Sequence, residues 1–576
     1  MSRPLPRHAA LLLVCAIALD ARAQATPRDL ATVPCEGRAI RAIDVNPQRP
    51  PFQGSAAYWR RFARLFGLHH ATTDSAVIRR FLALRAGGPC SGFRLRESER
   101  LLRAQPYLAD ASVRSIAADS GGVRINVETV DEIAAIGALS LSGTHISALE
   151  IGNENMFGNA WLLAVHGSDR PLEGRAAGFR AKDFQFLGHP YVLDAAAEEG
   201  QRTSSVRLGL GHAYLTDLQR FAWETGIAHA DRSFVLVRRG RNVDDLAVRY
   251  RRLAADIGGV LRLGGSDRPI LLGGVATMTR FDPTGVFAVT DTGIAPDTAL
   301  ANRYAKVRQA RIGGVGAWRA LRFVTVRGFD ALTGPQDVAT GVQLFGEAAR
   351  GVRPFGGDND LFLQGDVLAG VAGATHYSGF HALIEARRNS ERATWDGVIG
   401  SARLTSYWKP SPPSLLRLWA DAAGGWRVRI PLQLQLATNE RRIGGYPATQ
   451  FGGRRAGAGV EARRLLPTPS RLVRRADIGV SVFAEAGRLW AGDAPYGVTT
   501  GILPSVGIGV LAAVPAGSKR VGRLDVAVPL GSVRAPNRRS IELRFSFADA
   551  TGILRRESGD LSSAREQIVG TNIFLP

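Results

Sequence analysis

Lysine, cysteine and long apolar segments are scarce in this chain of 576 residues. Beyond the N-terminal segment, no stretch reaches the roughly twenty consecutive apolar residues that a transmembrane helix requires, which excludes a bundle of membrane-spanning helices. A hydrophobic content of 45% with a mean hydropathy of −0.03 still suits a membrane β-barrel. The strands of such a barrel give a much weaker hydropathy signal than helices do.

The positive charge is almost entirely arginine, because lysine occurs only at Lys182, Lys306, Lys409 and Lys519. The net charge of +22 is spread along the chain and forms no basic patch with interleaved aromatic residues, so a nucleic-acid partner is not predicted. Arginine binds phosphate bidentately, which favours anionic lipid headgroups and lipopolysaccharide as partners. A general bias of the genome towards arginine codons explains much of the same excess.

Motifs of known catalytic or metal sites are also missing. The chain has no G-x-S-x-G, H-E-x-x-H, P-loop or C-x-x-C motif, and the adjacent His69 and His70 make a poor metal-binding pair. We therefore predict that the protein is not an enzyme and needs no cofactor or metal.

The N-terminus has the pattern of a secretion signal. Arg3 and Arg7 precede the apolar run Ala9–Leu19, and Ala21-Arg22-Ala23 fits a cleavage site, so residues 1–23 are predicted to be a signal peptide. An uncleaved anchor is the alternative.

Two cysteines, Cys35 and Cys90, remain after this signal. An even pair in an oxidising compartment predicts a disulfide, with two free thiols as the alternative.

Residues 24–131 are predicted to form a small α+β domain. The predicted order is strand, helix, helix, strand, strand: Arg38–Val45, a helix capped by Thr73 or Asp74 and running to Arg85, a helix at Leu95–Ala104, and strands at Ala111–Ala117 and Gly122–Thr129.

Residues 132–547 repeat short alternating strands, of which Ser540–Phe547 is the clearest. Its apolar residues Ile541, Leu543, Phe545 and Phe547 lie on one face and polar residues on the other, as expected for a strand between lipid and water. Such strands must close on themselves in a bilayer, so we predict a mainly β protein with a transmembrane antiparallel barrel of roughly sixteen strands. A soluble antiparallel sheet assembly is the alternative. Asp282–Gly285 is predicted to be a turn, and residues 243–264 one or two strands.

Two segments resemble the BamA/TamA branch of the Omp85 superfamily (bacterial surface antigen D15 type). Arg96–Arg103 followed by Pro106–Ala111 looks like the second helix and following strand of a POTRA domain, a periplasmic module of those proteins. Thr438–Gly453 resembles their sixth extracellular loop. The resemblance implies an outer-membrane barrel with residues 24–131 in the periplasm, closed by Ser540–Phe547 and followed by a periplasmic tail at 548–576.

In that family the loop carries an Arg-Gly-Tyr/Phe motif whose arginine docks against an acidic residue on the inner wall. Gly445 and Tyr446 match the motif, but Gly444 stands where the arginine is expected. Arg441 or Arg442 would then reach the acidic partner, which alternation assigns to Glu485 on the inward face. A water-solvated Glu485 without this contact is the alternative.

The resemblance implies assistance in inserting outer-membrane proteins, or translocation of polypeptides, with unfolded client chains and periplasmic or lipoprotein partners. A passive pore or surface structural protein is the main alternative, because a single POTRA-like module and Gly444 both depart from the family pattern. Two-partner secretion expects two POTRA modules and an N-terminal plug helix, and neither is found.

Overall fold

The computed structural model describes most of the chain between Thr32 and Phe574. The signal-peptide prediction and the loop residues Arg441 and Arg442 lie outside the described residues. The described ranges are 32–49, 71–119, 121–142, 145–170, 173–238, 245–290, 293–300, 303–436, 443–446, 450–467, 476–531, 541–549, 559–565 and 573–574.

An N-terminal domain, residues 32–131, has the predicted order of elements. It consists of β1 (Ile40–Gln48), α1 (Ser75–Arg80), α2 (Gly92–Arg103), β2 (Leu108–Ala117) and β3 (Val123–Asp131). β3 is the central strand of the sheet, parallel to β1 and antiparallel to β2. Its core includes Ile78, Leu102 and Ile125.

Helix α1 is shorter than predicted. Asp74 caps it, with its Oδ1 accepting a hydrogen bond of 2.6 Å from the amide of Ala76. The helix ends at Arg80 instead of Arg85, because the amide of Ala83 donates to Ser98 Oγ on α2 at 2.9 Å and is not available to extend the helix. A disulfide joins Cys35 to Cys90, with 5.3 Å between their Cα atoms.

The remaining strands form one large antiparallel sheet, called the large sheet below. Apart from the short β13, each strand pairs with the next along the chain. Its strands are β4 (Ala135–Ser142), β5 (His145–Asn153), β6 (Trp161–Arg170), β7 (Gly174–Asp183), β8 (Val192–Gly200), β9 (Ser204–His212), β10 (Phe221–Leu236), β11 (Asp245–Leu263), β12 (Ile270–Thr290), β13 (Gly293–Pro296), β14 (Val307–Arg327), β15 (Pro335–Gly351), β16 (Asp360–Ala372), β17 (His376–Asn389), β18 (Thr394–Ser411), β19 (Ser414–Trp426), β20 (Arg454–Leu465), β21 (Asp477–Trp490), β22 (Leu503–Ala513), β23 (Arg520–Pro529) and β24 (Glu542–Asp549).

The prediction of roughly sixteen strands was too low, because the described residues of the large sheet form the twenty-one strands β4 to β24. The four-residue β13 pairs with the far end of β12, and β14 pairs with the rest of β12. The predicted turn at Asp282–Gly285 was also wrong, because it lies inside β12. There Arg249 is opposite Gly285 and Tyr250 is opposite Pro283, which leaves Thr284 as a β-bulge. Residues 245–263 form a single strand.

The two faces of the large sheet differ in polarity. On β14, Ile312 and Trp318 are exposed on one face, whereas Arg311 and Arg319 are buried on the other. We call the first the outer face and the second the inner face. Alternate residues of a strand point to opposite faces, so this division follows directly from the sequence of each strand. Within the described part of the chain, no helix has the length and apolar character needed to span a membrane.

Candidate functional site: the inner face and its inserted segments

A long connection, residues 427–453, joins β19 to β20 and is called the inward loop, because its described residues pack on the inner face. Leu432 and Leu434 are buried, as is Leu436. The amide of Leu434 donates to the carbonyl oxygen of Gly452 at 2.8 Å, and the amide of Gly452 donates back at 2.9 Å. These two hydrogen bonds hold the outgoing and returning parts of the loop together.

Two glycines bring the inward loop against the wall. The amide of Gly444 donates to Glu485 Oε1 at 2.7 Å, and the amide of Gly445 donates to Glu542 Oε2 at 2.5 Å. A Cβ atom on Gly444 would lie 2.4 Å from the Cβ of Ala527, and Gly445 has a φ of +77°. No side chain fits at the first position and only glycine readily adopts the second conformation, so the contact uses backbone amides.

Strand β24 supplies a cation beside Glu485. Arg544 on β24 places Nη1 3.5 Å from Glu485 Oε1 and Nη2 3.4 Å from Asp525 Oδ2. Its guanidinium also lies 5.3 Å from the ring centre of Phe483. Glu485 is therefore on the inner face, as alternation predicts, and its described partners are Arg544 and Gly444. The prediction that Arg441 or Arg442 reaches Glu485 falls on residues outside the described ranges.

Tyr446 fixes the end of this contact. Its hydroxyl donates to the carbonyl oxygen of Pro504 at 2.6 Å and accepts from the amide of Gly531 at 3.1 Å. Tyr446 also packs in an apolar cluster with Leu436, Ile443 and Leu489. The loop is thus joined to the start of β22 and to the segment that follows β23.

The N-terminal domain is joined to one end of the large sheet by a buried ion pair. Arg103 on α2 donates from Nε to Asp337 Oδ2 at 2.9 Å and from Nη2 to Asp337 Oδ1 at 2.8 Å. Nη2 also lies 2.9 Å from Thr325 Oγ1. The backbone carbonyl of Arg103 accepts from Lys519 Nζ. One helix therefore contacts the adjacent ends of β14 and β15 and the β22–β23 connection.

The segment between β3 and β4 is held by the same connection. Glu132 accepts from Ser518 Oγ at 2.7 Å and from the amide of Lys519 at 3.2 Å. Arg520 donates to the carbonyl oxygen of Ile133 at 2.6 Å and pairs with Glu154. The passage from the domain to the sheet is therefore fixed by direct contacts.

Helix α2 also carries a second ion pair at this junction. Arg100 donates to both carboxylate oxygens of Glu97 at 2.9 and 2.6 Å, and to the carbonyl oxygen of Leu215 between β9 and β10. Burial alone would raise the pKa of Glu97, but the hydrogen bonds and charge of Arg100 outweigh it, so the pKa is lowered.

The described residues of the C-terminal tail (residues 550–576) lie against the inner face. A short helix, α3 (Gly559–Ala564), places Leu561 in an apolar cluster with Leu432 and Leu434 of the inward loop. Arg565 forms a buried ion pair of 3.0 Å with Glu385 on β17. The sequence predicts a periplasmic tail and leaves open what the tail contacts. These described residues pack on the inner face.

The end of the tail occupies an apolar pocket on the inner face. Ile573 and Phe574 are buried there, and the rings of Phe574 and Phe345 have centroids 5.1 Å apart. The carbonyl oxygen of Ile573 accepts a hydrogen bond of 2.7 Å from the amide of Tyr214. The pocket residues are Tyr214, Ala222, Val260, Leu271, Val275, Val315, Ala317 and Phe345.

The closing strand has its four predicted apolar residues on the outer face. Ile541, Leu543, Phe545 and Phe547 are 60%, 66%, 68% and 63% exposed. Among the described residues, no cluster of three or more histidine, cysteine or acidic side chains has the arrangement of a metal site.

Comparisons with known proteins give structural similarity and no family match. No protein-family model and no curated protein match the chain. BamA from Haemophilus ducreyi lacking POTRA domains 1–3 aligns at 12% identity over 89% of this chain and 85% of that chain, with a TM-score of 0.37. CdiB from Escherichia coli aligns at 10% identity over 91% and 92%, also with a TM-score of 0.37. CdiB from Acinetobacter baumannii aligns at 8% identity over 89% and 74%, with the same TM-score. Similarity at this level carries no argument about function.

Proposed function

We propose that the protein is an outer-membrane β-barrel that assists insertion of outer-membrane proteins or translocation of polypeptides. The distribution of polarity supports the membrane location. An exposed row of four apolar side chains on β24 would promote aggregation in water, whereas lipid accommodates it and leaves Arg544 on the opposite face within the interior. In this proposal the large sheet closes between β24 and β4, and the N-terminal domain is a POTRA-like module in the periplasm.

The topology is consistent with that orientation. With β13 set aside as an addition to the end of β12, an even number of strands forms the wall, as in bacterial single-chain barrels. An even number brings the N-terminal domain and the C-terminal tail to the same side. The connections that contact Arg100 and Arg103 lie on that side.

The observation that carries the proposed function is the shortness of β24 and β4, the two strands between which the sheet would close. Each of these strands has eight residues, whereas β12 and β14 have twenty-one. A short seam has fewer backbone hydrogen bonds to break, and once opened it presents strand edges on which an incoming chain forms main-chain hydrogen bonds. Glu542 and Arg544 couple this same strand to the inward loop.

The N-terminal domain would deliver the chain. Its sheet has β1 and β2 as edge strands, and β-strand addition to such an edge needs little sequence specificity. The process needs no covalent step, enzyme activity or cofactor. Its partners are unfolded outer-membrane or secreted polypeptides, lipid and lipopolysaccharide, and periplasmic or lipoprotein accessory factors.

Reconstitution in liposomes tests this function. We expect purified protein to speed the folding of an unfolded barrel client, measured by gel mobility and protease protection, relative to empty liposomes. Equal rates would contradict the proposal.

A disulfide between β23 and β24 tests whether these two strands must separate for client folding. Val526 and Leu543 are directly opposite each other, so cysteines there would join these two strands and leave the β24–β4 seam free. Client folding should persist. Loss of client folding in this variant would indicate that the barrel opens elsewhere than between β24 and β4.

A further inference from the structure

The pocket that holds the end of the tail is an apolar site in a polar interior. Val275, Val315 and Phe345 face inward there, and charged residues also face inward on two of the same strands. Arg311 and Arg319 lie on β14 with Val315, and Glu347 lies on β15 with Phe345. Apolar side chains on a wet surface gain free energy only when other apolar groups cover them.

The strands of the wall form their backbone hydrogen bonds with one another and do not need the tail for them. Strands β10 to β15 are joined to their neighbours through the registers of the sheet, and the described residues of the tail add no strand to it. Gly258 on β11 provides the room, because a Cβ atom there would lie 3.2 Å from Ile573 Cδ1. The pocket therefore accommodates an inserted aliphatic side chain and an adjacent aromatic one.

The contacts identify the ligand as a polypeptide. The amide of Tyr214 binds the main-chain carbonyl of Ile573, a group that every residue of a peptide carries, and the neighbouring side chains fill the apolar space. Main-chain hydrogen bonding combined with side-chain pockets is the general mode of extended-peptide recognition.

The pocket also adjoins the N-terminal domain. Tyr214 precedes Leu215, whose carbonyl oxygen accepts a hydrogen bond from Arg100 of α2. The ring of Tyr214 lies 5.5 Å from the guanidinium of Arg319. A chain passing from the N-terminal domain to the interior would meet this pocket first.

We infer that this pocket is a binding site for an extended client segment in which an aliphatic residue precedes an aromatic one, and that Ile573-Phe574 occupies it as an internal competitor. The inference deepens the proposed function and rests on it. Because the tail is covalently attached, its effective concentration at the pocket is high, and a client must displace it to bind.

Peptide binding to the purified full-length protein in detergent tests the inference without measuring client folding. The probe is a fluorescent peptide with the sequence Thr-Asn-Ile-Phe-Leu-Pro, with a version carrying Ser-Ser in place of Ile-Phe as control. Phe574→Ala should strengthen binding of the first peptide about tenfold or more. The substitution weakens the binding of the tail, which competes with the peptide at an effective concentration on the order of millimolar. Phe355→Ala, an exposed phenylalanine outside the pocket, should leave binding unchanged.

A substitution in the wall of the pocket tests where the peptide binds. Gly258→Val in the Phe574→Ala background should abolish the gain, because its side chain fills the space that Ile573 occupies. Gly274→Val is the matched control on the adjacent strand, since Gly274 lies on the outer face near Leu272. Equal peptide affinity in wild type and Phe574→Ala, or binding unaffected by Gly258→Val, would overturn the inference. Peptide binding without faster client folding would instead leave the site intact and contradict only the proposed function.

Discussion

Arg103→Ala should release the N-terminal domain from the large sheet. The arginine side chain is 6% exposed and its partner Asp337 is 12% exposed, so the ion pair is largely shielded from water. Removing one member of such a pair leaves an uncompensated buried charge and costs about 3–5 kcal/mol. Since about 1.4 kcal/mol corresponds to a factor of ten, the ratio of undocked to docked domain should rise at least about a hundredfold.

Hydrogen exchange measured by mass spectrometry on the protein in detergent micelles reports this equilibrium. Peptides covering the segment between β3 and β4 contain the amide of Ile133, and peptides covering the β22–β23 connection contain that of Lys519. Both should lose protection by about two orders of magnitude in Arg103→Ala, as expected for a broken buried pair. Arg96→Ala, an exposed arginine on the same helix, is the matched control and should exchange as the wild type does.

A double-mutant cycle separates the ion pair from other effects of the substitution. Asp337→Ala should weaken docking by less, because Glu99 still pairs with Arg103 in that variant. The double variant should lose less than the sum of the two single variants, because both members of the Arg103–Asp337 pair are then absent. Strictly additive losses, or unchanged exchange in Arg103→Ala, would refute the view that this pair holds the domain in place.

Three further outcomes follow from the contacts. Cys35→Ser should destabilise the N-terminal domain by about 4 kcal/mol, because the disulfide closes a separation of 55 residues, and pulse proteolysis measures the loss. Gly444→Ala should displace the inward loop and expose it to protease, whereas Gly501→Ala, where an added Cβ meets nothing within 4 Å, should not. The lowered pKa of Glu97 means that its pairing with Arg100 stabilises the junction fully above pH 4.5. This stability is lost as the pH falls through the folded-state pKa of Glu97. In Glu97→Gln, hydrogen exchange at the junction should therefore depend less on pH in the acidic range.

Strands with strict alternation could be predicted from the sequence, and others could not. The outer-face row of β24 is visible because every second residue is large and apolar. β7 reads Gly-Arg-Ala-Ala-Gly-Phe-Arg-Ala-Lys-Asp and shows no such period. β14 carries arginine and glutamine at inward positions, where they are buried by partners from distant parts of the chain, and glycines interrupt its outer face. The strand count was therefore underestimated.

Of the contact between Glu485 and Arg544, only the position of Glu485 could be predicted from the sequence. Alternation in β21 identifies Glu485 as inward, and the structure places it there. The partnership with Arg544 depends on which strands become neighbours and in what register, which no local pattern specifies. Sequence comparison with the family motif directs attention to the missing loop arginine. The close approach of Gly444 to Ala527 explains its absence, because a side chain of any size would push the loop away from the wall.

The tail packs directly against the inward loop, and this contact links the two ends of the interior. Leu561 of α3 packs on Leu432 and Leu434, so part of the support of the loop comes from the tail. The same loop reaches β24 through the hydrogen bond between Gly445 and Glu542. A client that displaces the tail from its pocket would also remove packing from the loop, and the loop would then bind β24 less tightly. By reciprocity, anything that opens the seam at β24 weakens the hold of the tail. Occupation of the pocket and opening of the seam are thus expected to favour each other.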